Sequence, residues 1–317
     1  MKIAILDAKT IGDDIPTKPI EELGECTVYQ STSPSEVSQR LADCDVAVLN
    51  KVKLNETNLK DAKNLKLICL LATGYDNVDL DYCRKRRIAV CNVEGYSSHS
   101  VSQITVSMVL YLASHLKEYA DYVKSGSYTV SGVANRLSPV YSELNGKTWG
   151  IAGFGNIGMQ VGKVAEALGC KVIVYKKTPI DGYTCTDIDT LCKKSDIISL
   201  HLPLCEETYH IINEDRIAKM KKNVILVNMA RGNVTDEDAV ARGVINADIG
   251  AFGCDVFSVE PFGTDHPFNQ IKDLPNVILT PHMAWGAYES RLRCVDEVRQ
   301  NIASFFQGEI RNRVDLF

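Results

Sequence analysis

Residues 146–158 read GKTWGIAGFGNIG. The apolar run Thr148–Gly153 predicts a strand, and the periodic stretch Ile157–Leu168 predicts a helix. Between them, Gly153-Phe154-Gly155-Asn156-Ile157-Gly158 spaces three glycines as a dinucleotide-binding turn requires. The first glycine permits the tight turn, the second lets backbone approach a pyrophosphate, and the third lets the helix pack on the strand. The helix start offers free N–H groups and a positive dipole end to the phosphates. A bare glycine turn would explain the spacing alone. A strand before, a helix after and a second strand ending at Tyr175 make dinucleotide binding the stronger reading.

Further along, apolar runs at Lys171–Tyr175, Asp196–Leu200, Val224–Met229, Gly250–Val256 and Val277–Pro281 read as strands with helical stretches between. A similar series precedes the glycines: strands at Lys2–Leu6, Cys26–Tyr29, Val46–Leu49, Leu67–Leu71 and Ile88–Val90, with helix-like Ser35–Ala42 and Thr57–Ala62. Near-continuous apolar strands are those of parallel sheets covered on both faces. Ser100–Val123 predicts one long helix, Lys124–Leu144 an irregular connection, and Tyr288–Phe306 a last helix. The expected fold class is α/β, with two Rossmann-like, doubly wound parallel-sheet domains and an interdomain cleft. The expected division is residues 1–97 plus 287–317 as a flavodoxin-like, substrate-binding catalytic domain, and 98–286 as the dinucleotide-binding Rossmann domain.

Composition narrows the function. The 317 residues carry a net charge of −5 and no long basic run, which argues against nucleic-acid or anionic-membrane partners. Lys219, Lys221 and Lys222 read as a solvated helix end. The 11 cysteines form no CxxC pair and no zinc spacing, so no metal site is expected and a reducing compartment suits them. The chain opens directly on a strand pattern and has no apolar run of membrane-spanning length, so a cytoplasmic enzyme is the expectation.

The strand ending at Tyr175 is followed by Lys176 and Lys177, where an NAD-binding unit usually carries an acid for the ribose 2′-OH. Two lysines do not repel a 2′-phosphate, so NADPH acceptance is expected beside NAD. The competing reading has both lysines in solvent and NADH held by other contacts. Three polar residues follow predicted strand ends: Arg231 in NMARGNVTDEDAV, Glu260 in CDVFSVEP and His282 in LTPHMAWG. Singly, each has an ordinary reading: a surface pair, a loop carboxylate, a packed histidine. Together, beyond strand carboxyl ends, they suit reduction of a 2-keto acid. A guanidinium binds the substrate carboxylate in a fork, a histidine supplies a proton to the developing alkoxide, and a carboxylate beside it orients the ring and favours the imidazolium.

With ATGYDNVDL (72–80), GKTWGIAGFGNIG (146–158), DIISLHLPLCEETYHIIN (196–213), NMARGNVTDEDAV (228–240), CDVFSVEP (254–261) and LTPHMAWG (279–286), the chain resembles the D-isomer-specific 2-hydroxyacid dehydrogenases over nearly its whole length. The resemblance implies Arg231, Glu260 and His282 as the catalytic set. It implies Thr73, Gly74, Tyr75, Arg231 and Trp285 toward the substrate. Toward the cofactor it implies Thr105, Pro203, Thr208, Ala230 and Asp255, besides the glycine turn and the strand end at Tyr175. It also implies a small 2-keto or 2-hydroxy acid as substrate and a homodimer. Tyr96-Ser97 before Val101-Ser102-Gln103, and Ala284-Trp285 after the histidine, look most like glycerate dehydrogenases (hydroxypyruvate reductases). A formate dehydrogenase is disfavoured, since that branch carries Gln in place of Glu260. Two alternatives stay open: a nucleotide-sensing, non-enzymatic corepressor-like protein on this scaffold, and a related dehydrogenase with another substrate such as phosphite.

Overall fold

The structure is a computed structural model and describes residues 1–316. The chain divides into two compact units, Met1–Ser97 with Gly286–Phe317, and Ser98–Trp285.

The first unit runs β1 (Lys2–Ile5), α1 (Lys18–Glu21), β2 (Glu25–Val28), α2 (Val37–Leu41), β3 (Val46–Leu49), α3 (Glu56–Leu59), β4 (Leu67–Leu70), α4 (Leu80–Arg86) and β5 (Ala89–Cys91). Its strands form a five-stranded parallel sheet of order β2-β1-β3-β4-β5. That is the flavodoxin-like winding, which reverses between β1 and β3. Every residue of β3 and β4 is buried, which is why those strands read as unbroken apolar runs. At the reversal, buried Asp7 accepts the N–H groups of Asn50, Lys51 and Val52 and ties the end of β1 to the end of β3.

The second unit starts with α5 (Ser98–Ala113), α6 (Leu116–Lys124) and α7 (Ser127–Ser131). The single long helix expected over Ser100–Val123 is therefore corrected to two. His115 breaks it with a left-handed backbone at φ 51°. The apolar periodicity runs across the break, but its burial does not. The first helix buries Val101, Met108, Val109 and Leu112, whereas the second buries nothing. Beyond residue 113 no core surface holds the helix to its first axis.

There follow β6 (Thr148–Ala152), α8 (Asn156–Ala167), β7 (Lys171–Tyr175), β8 (Thr184–Cys185), α9 (Ile188–Lys194), β9 (Ile197–Leu200), α10 (Glu214–Ile217), β10 (Ile225–Asn228), α11 (Glu237–Ile245), β11 (Ala251–Cys254) and β12 (Val277–Leu279). They form a seven-stranded parallel sheet ordered β12-β11-β10-β9-β6-β7-β8. The winding reverses between β6 and β9, as in dinucleotide-binding folds. One apolar cluster, with Leu226, Phe252 and Phe268, and another, with Trp149, Ile151 and Phe154, supply its core. The last helix, α12 (Tyr288–Phe306), belongs to the first unit, where Arg291 reaches Asp14 and Asn301 donates to the Asn92 carbonyl. Among the described residues no helix is long and apolar enough to cross a membrane.

Candidate active site

The glycine turn joins β6 to α8. Gly153 has φ +91°, and an added Cβ would meet the His201 carbonyl oxygen at 2.5 Å. No other residue fits so close to the neighbouring strand end. A Cβ on Gly158 would meet the Gly153 carbonyl oxygen at 2.2 Å, so only glycine lets the helix sit this close. A Cβ on Gly155 meets nothing within 4 Å. That open face, with helix N–H groups beginning at Asn156 and Ile157 and no side-chain cap on them, is a cradle that fits a pyrophosphate.

Tyr175 ends β7 half-buried, and Lys176 and Lys177 follow it exposed. Lys177 is paired with Glu207, which stands on the loop after β9. In that loop Thr208 is buried, donates to the Pro203 carbonyl at 2.6 Å and accepts the Cys205 N–H at 2.8 Å. Thr105 lies fully buried inside α5, its hydroxyl donated to the Val101 carbonyl.

Arg231, Glu260 and His282 follow β10, β11 and β12, which are adjacent and parallel. Neighbouring strands lie about 4.8 Å apart, so the sheet brings three sequence-distant segments to one edge. Three local devices hold them there. Buried Asn228 accepts the Ala230 N–H and donates to the Arg231 carbonyl, closing the turn that presents the arginine. Gly232 then lies flat against the next loop, since a Cβ there would fall 2.0 Å from the Phe257 carbonyl carbon and the Ser258 nitrogen. Asp255, 2 % exposed, accepts from Thr280 Oγ1, Met283 N and Ala284 N, and so clamps the turn around His282. Burial pushes the Asp255 carboxyl above its ordinary range, against the pull of those hydrogen bonds. His282 itself has φ +51°, a backbone state that a non-glycine residue holds only when its surroundings impose it.

His282 Nδ1 lies 2.6 Å from Glu260 Oε2, and Glu260 Oε1 accepts the Phe257 N–H at 2.9 Å. A carboxylate only accepts, so Nδ1 carries the hydrogen and Nε2 remains to exchange a proton with a ligand. Arg231 is half-buried and its guanidinium donates to the Ala230 carbonyl. Trp285 packs with Ala284 on the second core cluster of this unit.

Thr73, Gly74 and Tyr75 belong to the first unit, on the loop after β4. Thr73 donates its hydroxyl to the Val93 carbonyl, its own carbonyl accepts from Asn92, and Tyr75 is exposed.

Sequence reasoning did not single out Asn228, Gly232, Glu237 or His201. Gly232 carried a usable signal, since it directly follows the arginine. His201 follows β9 beside Gly153 and keeps some surface as a residue. Both its ring nitrogens are nonetheless covered, without a hydrogen-bond partner among the described residues.

A parallel doubly wound sheet, a glycine cradle and an Arg/Glu/His set at the strand carboxyl ends define a nicotinamide-dependent oxidoreductase. Residues 106–284 match the family model described as "D-isomer specific 2-hydroxyacid dehydrogenase, NAD binding domain", and the chain belongs to that family. It is 35% identical to a hydroxypyruvate reductase of Blautia hydrogenotrophica, over 99% of this chain and 100% of that one. A D-lactate dehydrogenase of Aquifex aeolicus, solved with NAD and lactic acid, superposes with TM-score 0.87 at 32% identity over 99% of each chain. An acyclic imino acid reductase solved with NADPH and D-Arg superposes with TM-score 0.88 at 29% identity, over 99% of this chain and 100% of that one.

Burial pushes the His201 imidazole down to about 3, so its neutral form dominates near neutral pH. Its folded pKa lies below the unfolded value of about 6.5, so the unfolded chain binds the extra proton between these limits. The stability this group contributes is full above pH 6.5 and is lost as pH falls toward 3, by at most about 1.4 kcal/mol per pH unit. Urea melts of wild type and His201→Leu from pH 7 to 4 should give a shallower acid loss in the variant. Identical slopes would remove His201 as the cause.

Proposed function

We propose that this enzyme reduces a small 2-keto acid to its D-2-hydroxy acid, with hydroxypyruvate and glyoxylate as the first candidates. The observation that carries the reading is the Glu260–His282 pair at a strand end neighbouring the Glu260 loop, itself seated on the Arg231 turn through Gly232. When bound, reduced nicotinamide supplies the hydride to C2. Arg231 holds the substrate carboxylate in its fork and polarises the adjacent carbonyl. His282 gives the Nε2 proton to the carbonyl oxygen as it becomes an alkoxide. Glu260 keeps the ring turned by accepting from Nδ1, so that Nε2 faces the substrate. The Gly153–Gly158 turn and the start of α8 would hold the pyrophosphate. A panel of hydroxypyruvate, glyoxylate, pyruvate and phenylpyruvate should show NAD(P)H oxidation with at least one, and hydroxypyruvate or glyoxylate should give the highest kcat/KM. His282→Gln should cut kcat about 10²–10⁴-fold with cofactor affinity kept. No turnover of any keto acid, or an unchanged kcat in the variant, would defeat the assignment.

NADPH is proposed as an accepted cofactor beside NADH. Supporting it is the absence of an acid at Tyr175–Lys177; opposing it is Glu207, which already engages the Lys177 ammonium. A 2′-phosphate would have to take Lys177 from that carboxylate. Isothermal titration with adenosine 2′,5′-bisphosphate should therefore show several-fold tighter binding to Glu207→Gln than to wild type, with adenosine 5′-monophosphate binding equally to both. A strong wild-type preference for NADH in kcat/KM, left unmoved in Glu207→Gln, would contradict the proposal.

A homodimer is proposed as well. Its support within the second unit is the segment after α6, where Val130, Leu137 and Val140 are 88%, 77% and 83% exposed. Apolar side chains exposed along one segment suit a surface that a second copy would cover. Sedimentation velocity should give a species of twice the 35.0 kDa chain mass, whereas the chain mass alone at micromolar concentration would exclude the dimer.

A further inference from the structure

The loop that carries Glu260 has little core of its own, since Ser258, Val259 and Glu260 are all exposed. A side chain on such a loop keeps a fixed angle only if something else holds the backbone. The structure supplies a second carboxylate for this, below the first. Glu237, in the first turn of α11, is 9% exposed and accepts three hydrogen bonds. Ser258 donates its backbone N–H to Oε1 at 2.9 Å and its hydroxyl to Oε2. His266 Nε2 lies 3.0 Å from Oε2. The tautomer follows from the other nitrogen: His266 Nδ1 accepts the Phe268 N–H, so Nε2 carries the hydrogen and donates it to Glu237. Phe262 stacks on the His266 ring with centroids 4.6 Å apart, and Phe257 meets Phe262 edge-on at 4.7 Å. The segment 257–266 is thus folded around one buried acceptor.

We propose that Glu237 is a positioning residue for the Glu260 carboxylate. With His266 it forms a buried clamp on Ser258 that fixes the loop angle at which Glu260 meets His282. The clamp also bridges two segments of the site, because Glu237 follows the Arg231 turn in the chain and Gly232 presses on the same Ser258 nitrogen. A buried carboxylate is costly unless fully hydrogen-bonded, and this one spends its hydrogen bonds on the loop and its brace. A neutral amide does not replace it. Its NH2 group would face either the Ser258 N–H or the His266 Nε2–H, both donors, and His266 cannot turn that nitrogen into an acceptor while Nδ1 accepts from Phe268.

The inference rests on the reading of Glu260 as the partner of the proton-donating histidine, and the test separates the two. Glu237→Gln, Glu260→Gln, the double variant and Ser258→Ala are compared for kcat and KM with the fastest keto acid of the panel, cofactor dissociation constant by fluorescence quenching, and Tm. Glu237→Gln should lower kcat about tenfold or more, as loss of an outer support does. KM and cofactor affinity should stay within about threefold, as expected when an interaction made only in the transition state is lost. In the Glu260→Gln background the same change should cost less than about twofold, because nothing remains to be positioned. Ser258→Ala, which removes one arm at an exposed residue, should lower kcat about threefold with Tm kept, and serves if Glu237→Gln does not fold. Equal losses in both backgrounds, or a wild-type kcat in Glu237→Gln or in Ser258→Ala, overturn the clamp while Glu260 keeps its reading. A wild-type kcat in Glu260→Gln overturns that reading and the clamp with it.

Discussion

The 2.6 Å hydrogen bond between Glu260 and His282 Nδ1 is the constraint on which the proposed chemistry depends. An imidazole acts as a proton donor only when one nitrogen is held and the other is presented. Here the holding group is on a loop and the histidine on a strained turn, and neither has much core around it. The arrangement persists because buried acceptors lie beneath both. Asp255 grips the turn through Thr280, Met283 and Ala284, and Glu237 grips the loop through Ser258. The flexible-looking rim of the site stands on two buried carboxylates whose donors are the rim itself.

The sheet decides why these segments meet. In a doubly wound parallel sheet each strand delivers its following loop to the same edge. Arg231, Glu260 and His282 come from three consecutive positions in the order β10-β11-β12, while the glycine turn follows β6 and the Thr208 loop follows β9. The segments proposed for phosphate binding and for proton transfer therefore lie along one edge of a single unit. Close packing keeps the layout tight: Gly153 against His201, and Gly232 against Phe257 and Ser258, are approaches that any side chain would force apart.

Much of this was legible in the sequence, and the rest was hidden for physical reasons. The fold class could be read because β3, β4 and β11 are buried throughout and so appear as unbroken apolar runs, and β9 is broken only by Ser199. The two-residue edge strand β8 is too short to leave such a trace. The break at His115 escaped because periodicity records which residues are apolar, not whether a core exists to bury them. Arg231, Glu260 and His282 stood out as polar residues just past strand ends, but strand order, which makes their strands neighbours, is not written locally. Glu237 was invisible for another reason. After the capping Asp236, an acid in the first turn of a helix is what dipole chemistry favours anyway, so nothing set it apart. Glu207 was likewise unreadable, since its pairing with Lys177 spans 30 positions and two loops.

The most direct test is a crystal structure of the ternary complex with oxidised cofactor and oxamate, a non-reacting mimic of a 2-keto acid. The account predicts His282 Nε2 within hydrogen-bonding distance, about 2.6–3.2 Å, of the oxamate oxygen that mimics the keto group, with Nδ1 still on Glu260 and the Arg231 guanidinium on the oxamate carboxylate. An imidazole turned away from that oxygen, or released by Glu260 in the loaded site, would contradict it.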